Sequence, residues 1–220
     1  MPTWLGRLPV NTHPSIRYAA PPKRWQLPEA PAVNRSSVIR ATTQPVRCPQ
    51  APPGPTGPSS PPNYQASIYG NEDCLFLNVY APVHAKNLPV LVWIHGGGYG
   101  LGQASGFGLP TFAPMTKTAG NGFVTVVIQY RLGAFGFLSS ADLVKQGGVP
   151  NAALYDQRLA LQWVQKYISR FGGNPDQVTI SGESAGGGSV LLLAMANGGE
   201  EGTSLFRRGI ASSPWVPTQP

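Results

Sequence analysis

The stretch Val178-Thr179-Ile180-Ser181-Gly182-Glu183-Ser184-Ala185-Gly186-Gly187-Gly188 decides the fold of this chain. Val178-Thr179-Ile180 reads as a short strand, and a helix is expected from about Ala185 to Asn197, stopped by Gly198-Gly199. Between them stands a G-x-S-x-G. A serine hydroxyl is a poor nucleophile unless it is fixed, exposed and beside a base. A sharp strand-to-helix turn lifts the serine above the sheet edge, strains its backbone and crowds its neighbours, so positions 182 and 186 must be small. The helix begins at the serine, and its free N–H groups and positive dipole end face a developing oxyanion. The competing reading of the same glycines is an incidental Gly-rich helix start.

Upstream, Leu75, Leu77 and Val79 alternate with Phe76, Asn78 and Tyr80, a period-2 strand. Val90-Leu91-Val92-Trp93-Ile94 and Val124-Thr125-Val126-Val127-Ile128 are continuous runs expected to be strands buried on both faces. Ala160, Trp163, Val164, Tyr167, Ile168 and Phe171 fall on one helical stripe, ended by Gly172-Gly173, and Asn174-Pro175-Asp176 is expected to turn the chain. Gly209-Ile210-Ala211-Ser212 reads as one more short strand. Buried strands alternating with helices predict an α/β fold with a mainly parallel central sheet, covered on both faces by helices. Ligands bind such sheets at the carboxyl ends of the strands.

His95-Gly96-Gly97-Gly98 follows directly on the strand ending at Ile94. Acyl transfer builds negative charge on a carbonyl oxygen, and backbone N–H groups aimed at that point stabilise it. A glycine run lets the backbone approach without side chains in the way. The N–H of Ala185, the residue after the serine, is the expected further donor. Taken alone, the loop also reads as an anion-binding or simply tight turn.

The rest of the composition excludes more than it assigns. The net charge of +7 comes from 16 Lys+Arg against 9 Asp+Glu. Those cations are scattered (Arg7, Lys23, Arg35, Arg47, Lys86, Arg131, Arg170), so no nucleic-acid-binding patch is expected. No apolar run is long enough to span a bilayer, and MPTWLGRLPVNTHP has no signal-peptide core. Two cysteines are too few for a metal cluster, and no metal or organic cofactor is implied. By composition, Cys48 and Cys74 are compatible with one bridge and equally with two free thiols. Residues 1–43 read as irregular, and Gln44 to Pro62 is so rich in Pro and Gly that an exposed, partly extended loop is expected.

With these residues in view, the chain resembles the type-B carboxylesterase/lipase family, which includes the cholinesterases. Glu72-Asp73-Cys74-Leu75-Phe76-Leu77-Asn78-Val79 and Gly182 to Gly186 are similar to its two signature stretches. Tyr130-Arg131-Leu132-Gly133-Ala134-Phe135-Gly136-Phe137-Leu138 and Asp156-Gln157-Arg158-Leu159-Ala160-Leu161-Gln162-Trp163-Val164 are similar to later segments, and Ile16-Arg17-Tyr18-Ala19-Ala20-Pro21-Pro22 to an early one. The resemblance covers nearly all of residues 1–220, with the 44–62 loop inside that domain. It implies an α/β-hydrolase fold and a serine carboxylic-ester hydrolase acting through an acyl-enzyme on a small-molecule ester. It assigns Ser184 as nucleophile, the N–H groups of Gly97, Gly98 and Ala185 as the oxyanion hole, and a Cys48–Cys74 disulfide. It also implies secretion.

The departures from that pattern carry expectations of their own. The first strands expected before Pro21-Pro22-Lys23-Arg24-Trp25 are not visible, and Ala153 replaces a usual glycine. The loop between the cysteines holds no tryptophan, so the aromatic choline site is absent and a quaternary-amine substrate is not expected. In this fold the triad runs Ser, acid, His along the chain. Glu200 and Glu201 follow Ser184, but His13, His84 and His95 all precede it. The triad acid and His are therefore not expected within the chain, which reads as an α/β-hydrolase truncated after the nucleophile helix and the next strand, inactive by itself. His84 and His95 are expected to be solvated or structural, and Glu200 and Glu201 a solvated loop charge. The other readings are a non-catalytic binding or adhesion member of the fold, and a stand-alone binding module.

Overall fold

The computed structural model describes residues 10–32, 41–50, 70–104, 115–116, 118–120, 122–199 and 202–217. The described strands are β1 (Val10–Arg17), β2 (Phe76–Pro82), β3 (Leu88–Ile94), β4 (Val124–Ile128), β5 (Gly173–Glu183) and β6 (Arg208–Ser212). They form one sheet in the order β1-β2-β4-β3-β5-β6. β4, β3, β5 and β6 run parallel, and β2 and β1 continue the sheet antiparallel. The sheet is mainly parallel, as expected.

Parallel neighbours need crossovers, and helices supply them. Between β4 and β5 lie α1 (Gly133–Phe137), α2 (Ala141–Lys145) and α3 (Ala152–Tyr167); α4 (Ala185–Met195) and the single turn α5 (Gly202–Leu205) join β5 to β6. The stripe read from Ala160 to Phe171 is the second half of α3 plus a 3₁₀ turn, closed by Gly172 at φ +81°. α3 and α4 meet where Gln157 Nε2 donates to Ser189 Oγ at 3.1 Å. They share the main core with Val90, Val92, Ile94, Val126, Ile128, Val178 and Ile180.

Five expectations need correcting. β3 is not buried on both faces: Leu91 and Trp93 are half-buried against the smaller cluster of Tyr80, Val127 and Ala104. A continuous apolar run says that a strand is central, not what covers each of its faces; β4, buried at all five positions, met both conditions. The strand read at Val178–Ile180 extends to both sides, pairing from Leu88↔Gly173 to Ile94↔Gly182. The predicted turn at Asn174–Asp176 is an irregularity within β5, where the Asp176 N–H donates to Asn174 Oδ1 at 2.8 Å. Finally, the early region is not wholly irregular, because β1 pairs with β2 from Val10↔Pro82 to Arg17↔Phe76. Its polar Asn11, Thr12 and His13, its Pro14 and a register shift between His13 and Ile16 erase the period-2 signal.

The fifth correction concerns the Pro-rich loop. Cys48 and Cys74 are bridged, with Cα atoms 5.0 Å apart, and Cys74 leads straight into β2. Gln44, Val46 and Arg47 are exposed as expected, but Pro45, Cys48, Pro49 and Gln50 are buried, and residues 51–62 of the predicted loop lie outside the described residues. The bridge and the polar contacts of Gln50 pull this short piece inward.

One charge pair sits inside the protein. Arg131, just after β4, donates from Nε and Nη2 to Asp156 Oδ2 and Oδ1 at 2.8 and 2.7 Å, and its backbone N–H adds a bond of 3.0 Å. Side-chain exposures of 3% and 0% put the pair beyond the reach of water, so each charge depends on the other. Burial pushes the Asp156 carboxyl up, against the pull of the guanidinium. This bidentate clamp fixes α3 to the loop that leaves the carboxyl end of β4.

Candidate active site

Because β3 and β5 are parallel neighbours in register at Ile94↔Gly182, whatever follows each strand emerges side by side at one sheet edge. Gly96 follows β3 and Ser184 follows β5. A methyl group placed on Gly96 would lie 2.5 Å from the Glu183 carbonyl oxygen and 3.1 Å from Ser184 Cβ. The two motifs, nearly ninety positions apart in sequence, are in contact.

Ser184 sits at the strand–helix junction with φ 57° and ψ −122°, a conformation that L-residues avoid and that costs on the order of 1–3 kcal/mol. The turn is locked on both sides of its peptide units: the Ser184 N–H donates to the Ser212 carbonyl at 3.0 Å, and its carbonyl accepts from Gly188 and Trp215 N–H groups at 2.9 Å each. The flanking glycines are there for space. A Cβ at Gly182 would be 2.4 Å from the Gly186 carbonyl, and one at Gly186 would be 2.1 Å from the Ile94 carbonyl. Ala185 is the first residue of α4, so its N–H is among those a helix start leaves without an intrahelical partner.

The glycine loop has a fold of its own. Gly97, Gly98 and Gly102 have φ of +112°, +59° and +114°. The Gly100 and Leu101 N–H groups donate to the Gly97 carbonyl at 3.1 and 2.9 Å, closing a tight turn. Gly97 and Gly98 are exposed, whereas Tyr99 is buried between Phe137 and Trp215, ring centres 4.7 and 5.8 Å away.

Comparison with known proteins settles the family. The profile of the carboxylesterase family matches residues 3–219. The chain belongs to the carboxylesterase family. It is 41% identical over 216 residues to the acylcarnitine hydrolase of Mus musculus, covering 93% of this chain and 37% of that protein. It is 37% identical over 232 residues to secreted lipase 1 of Botryotinia fuckeliana, covering 96% and 40% respectively. The solved structure of a thermophilic PNB esterase superimposes with a TM-score of 0.79 at 36% identity, over 96% of this chain and 42% of the other. This carboxylesterase chain therefore spans about two-fifths of the length of those relatives, and its fold is the α/β-hydrolase fold.

The three histidines of this carboxylesterase chain occupy three different settings. His13 packs edge-on against Phe171, 5.1 Å between ring centres, at the end of β5 opposite Ser184. His84 occupies the turn after β2 with φ +66°. His95 lies beside the site but is 1% exposed, stacks on Tyr130 at 4.4 Å, and its Nδ1–H donates to the Gly96 carbonyl at 2.9 Å. Burial lowers its pKa to about 4, so the ring is neutral and serves as a wedge under the loop. Tyr130 completes the wedge by donating its hydroxyl to the His95 carbonyl at 2.6 Å. Glu200 and Glu201 lie outside the described residues.

Two contributors escaped the sequence reading. Arg131 and Asp156 stand inside segments quoted for the resemblance, but nothing in either segment pairs them across 25 positions. Gln50 stands in the Pro-rich stretch and reaches Gly102, 52 positions away; no local pattern announces it.

Proposed function

We propose that this chain carries the nucleophile side of a serine carboxylic-ester hydrolase. The observation that supports it best is Ser184 in a strained conformation at the head of α4, with Gly96 of the glycine loop against it. In this reading the Ser184 hydroxyl attacks the ester carbonyl and the C–O bond to the alcohol breaks, leaving an acyl-serine that water then hydrolyses. The N–H groups of Gly97, Gly98 and Ala185 take the oxyanion. The exposure of Gly97 and Gly98 and the position of Ala185 at a helix start suit that task.

The reaction also needs a base that removes the serine proton and returns it to the leaving alkoxide. All three histidines precede Ser184, and His13 and His95 are engaged in ring packing, so in this reading the His and the triad acid come from polypeptide outside these 220 residues. The Cys48–Cys74 bridge supports an oxidising compartment, in keeping with a secreted enzyme, and one relative is named as a secreted lipase.

The test compares the 220-residue chain with a form extended by any coding sequence downstream of Pro220, both on a short-chain nitrophenyl ester. The extended form should turn over, its Ser184→Ala variant should fall by about 10⁶ in kcat, and the short chain should stay near background. Strong turnover by the short chain that depends on Ser184 would overturn the division of the machinery. An extended form that is inert, yet binds the ester with Ser184 intact, would favour a non-catalytic binding member of the fold instead.

A further inference from the structure

A loop with three glycines at positive φ has little stiffness of its own, because glycine gives up more backbone freedom on folding than any other residue. Something outside the loop must hold it if its N–H groups are to point at a fixed spot. The near end is wedged at Gly96 against the Glu183 carbonyl. The far end is Gly102, and there one side chain takes both backbone groups: Gln50 Oε1 accepts from the Gly102 N–H at 2.8 Å, and Gln50 Nε2 donates to the Gly102 carbonyl at 3.0 Å. A primary amide is the neutral side chain that offers donor and acceptor in one plane, so it can grip both backbone groups of a single residue.

The grip is anchored. Gln50 Nε2 also donates to the Cys48 carbonyl at 2.7 Å, and Cys48 is bridged to Cys74 at the mouth of β2. The Cys74 carbonyl in turn accepts from Gln129 Nε2 at 2.8 Å, tying the same point to the end of β4. With Gln50 only 7% exposed, water does not compete for these bonds. Gly102 passes the constraint on. A Cβ there would be 2.2 Å from His95 Nδ1 and 2.6 Å from the Gly96 carbonyl, so Gly102 is packed hard against the wedge beside Ser184.

We propose that Gln50 is a positioning residue: held by the disulfide, its amide latches Gly102 and thereby sets the direction of the Gly97 and Gly98 N–H groups. This rests on the reading of that loop as the oxyanion donor. The latch is a property of the chain itself, and its catalytic consequence belongs to the ester-hydrolysing form.

Two measurements test it and fail separately from that reading. In the 220-residue chain, Gln50→Met keeps the volume and removes both bonds to Gly102. Hydrogen exchange at the Gly97–Leu101 amides should rise by at least about tenfold, with β5 and α4 unchanged and no free thiol detected. Gln50→Glu provides rescue within one protein: a protonated carboxyl again presents a donor and an acceptor, so protection, taken relative to the parent chain at the same pH to cancel the acid response of His95, should return as pH falls from about 7 to about 4. Loop exchange that Gln50→Met leaves unchanged, or that Gln50→Glu shows at both pH values alike, overturns the latch. In whichever form shows turnover dependent on Ser184, Gln50→Met should lower kcat about 10- to 100-fold with KM within about twofold. A change confined to KM overturns the positioning role. Turnover indifferent to Ser184→Ala sinks the nucleophile reading and leaves the exchange result to judge the latch.

Discussion

Two glycine-rich turns meet at the carboxyl edge of β3 and β5; both are crowded and both are tethered, but by different partners. Around Ser184, excluded volume adds to the backbone hydrogen bonds: Gly182 against Gly186, Gly186 against Ile94, Gly187 against Ser212. Around Gly97 the restraint is a set of tethers from afar, through Gln50 at 52 positions and Tyr130 at 35. The Ser184 turn is tied by backbone bonds to Ser212 and Trp215, and the Gly97 loop by the side chains of Gln50 and Tyr130; within the loop only Gly98 has open space around it.

That contrast is most exposed by adding a methyl group to each turn. Gly186→Ala would drive a Cβ to 2.1 Å from a backbone carbonyl at the end of β3, where no side chain can swing aside. We expect a loss of about 4 kcal/mol or more, read as collapse of the urea midpoint or failure to fold. Gly98→Ala, by contrast, meets nothing within 4 Å, and only its φ of +59° resists. Its cost should be about 1 kcal/mol in the same assay, the smallest effect predicted here. Equal costs at the two positions would erase the distinction.

Next in size is the wedge under the tethered loop. His95 has its pKa lowered by burial from 6.5 to about 4, so the unfolded chain takes up a proton at a pH where the folded chain does not. Its contribution is complete above pH 6.5 and is lost as pH falls towards 4. The loss amounts to about 3 kcal/mol. Denaturation in urea at pH 7.5 and at pH 4 should show it, and His95→Gln should flatten that part of the acid dependence. A variant with the same acid slope as the parent would show that the ring charges without cost.

A smaller effect, of opposite sign, is expected at the crowded turn. Ser184→Gly removes the steric objection to φ 57°, ψ −122° and should raise stability by about 1–2 kcal/mol. A thermal melt decides it: no rise in midpoint would mean that the serine conformation stores no strain.

The same contrast explains what the sequence reveals. The parallel core was legible because β3, β4 and the middle of β5 are apolar runs, and the Ser184 turn was legible because its glycines and its serine lie within five positions. The meeting of the two motifs rested on the family resemblance, because nothing in either motif says that β3 and β5 are neighbours. β1 was not legible, since an edge strand with Pro14 and a register shift carries no alternation. Nor was the inward course of Cys48 to Gln50, because proline content reports what a backbone cannot form and says nothing of where a disulfide and an amide will draw it. Tyr18 shows the same limit: its hydroxyl donates to the Gln129 carbonyl at 2.6 Å across 111 positions. Tethers of that kind are written in pairs of distant residues, and one sequence records each half without the other.

The buried clamp of Arg131 and Asp156 has a consequence for descent. Removing either partner alone strands a charge in the core at a cost of about 3–5 kcal/mol, whereas exchanging both for well-fitting apolar side chains can be nearly neutral. A lineage can therefore leave this arrangement only by changing both positions almost together, through an intermediate that selection would remove. The two residues are inherited as one character, and among diverging copies of the gene they should be kept as a pair or lost as a pair.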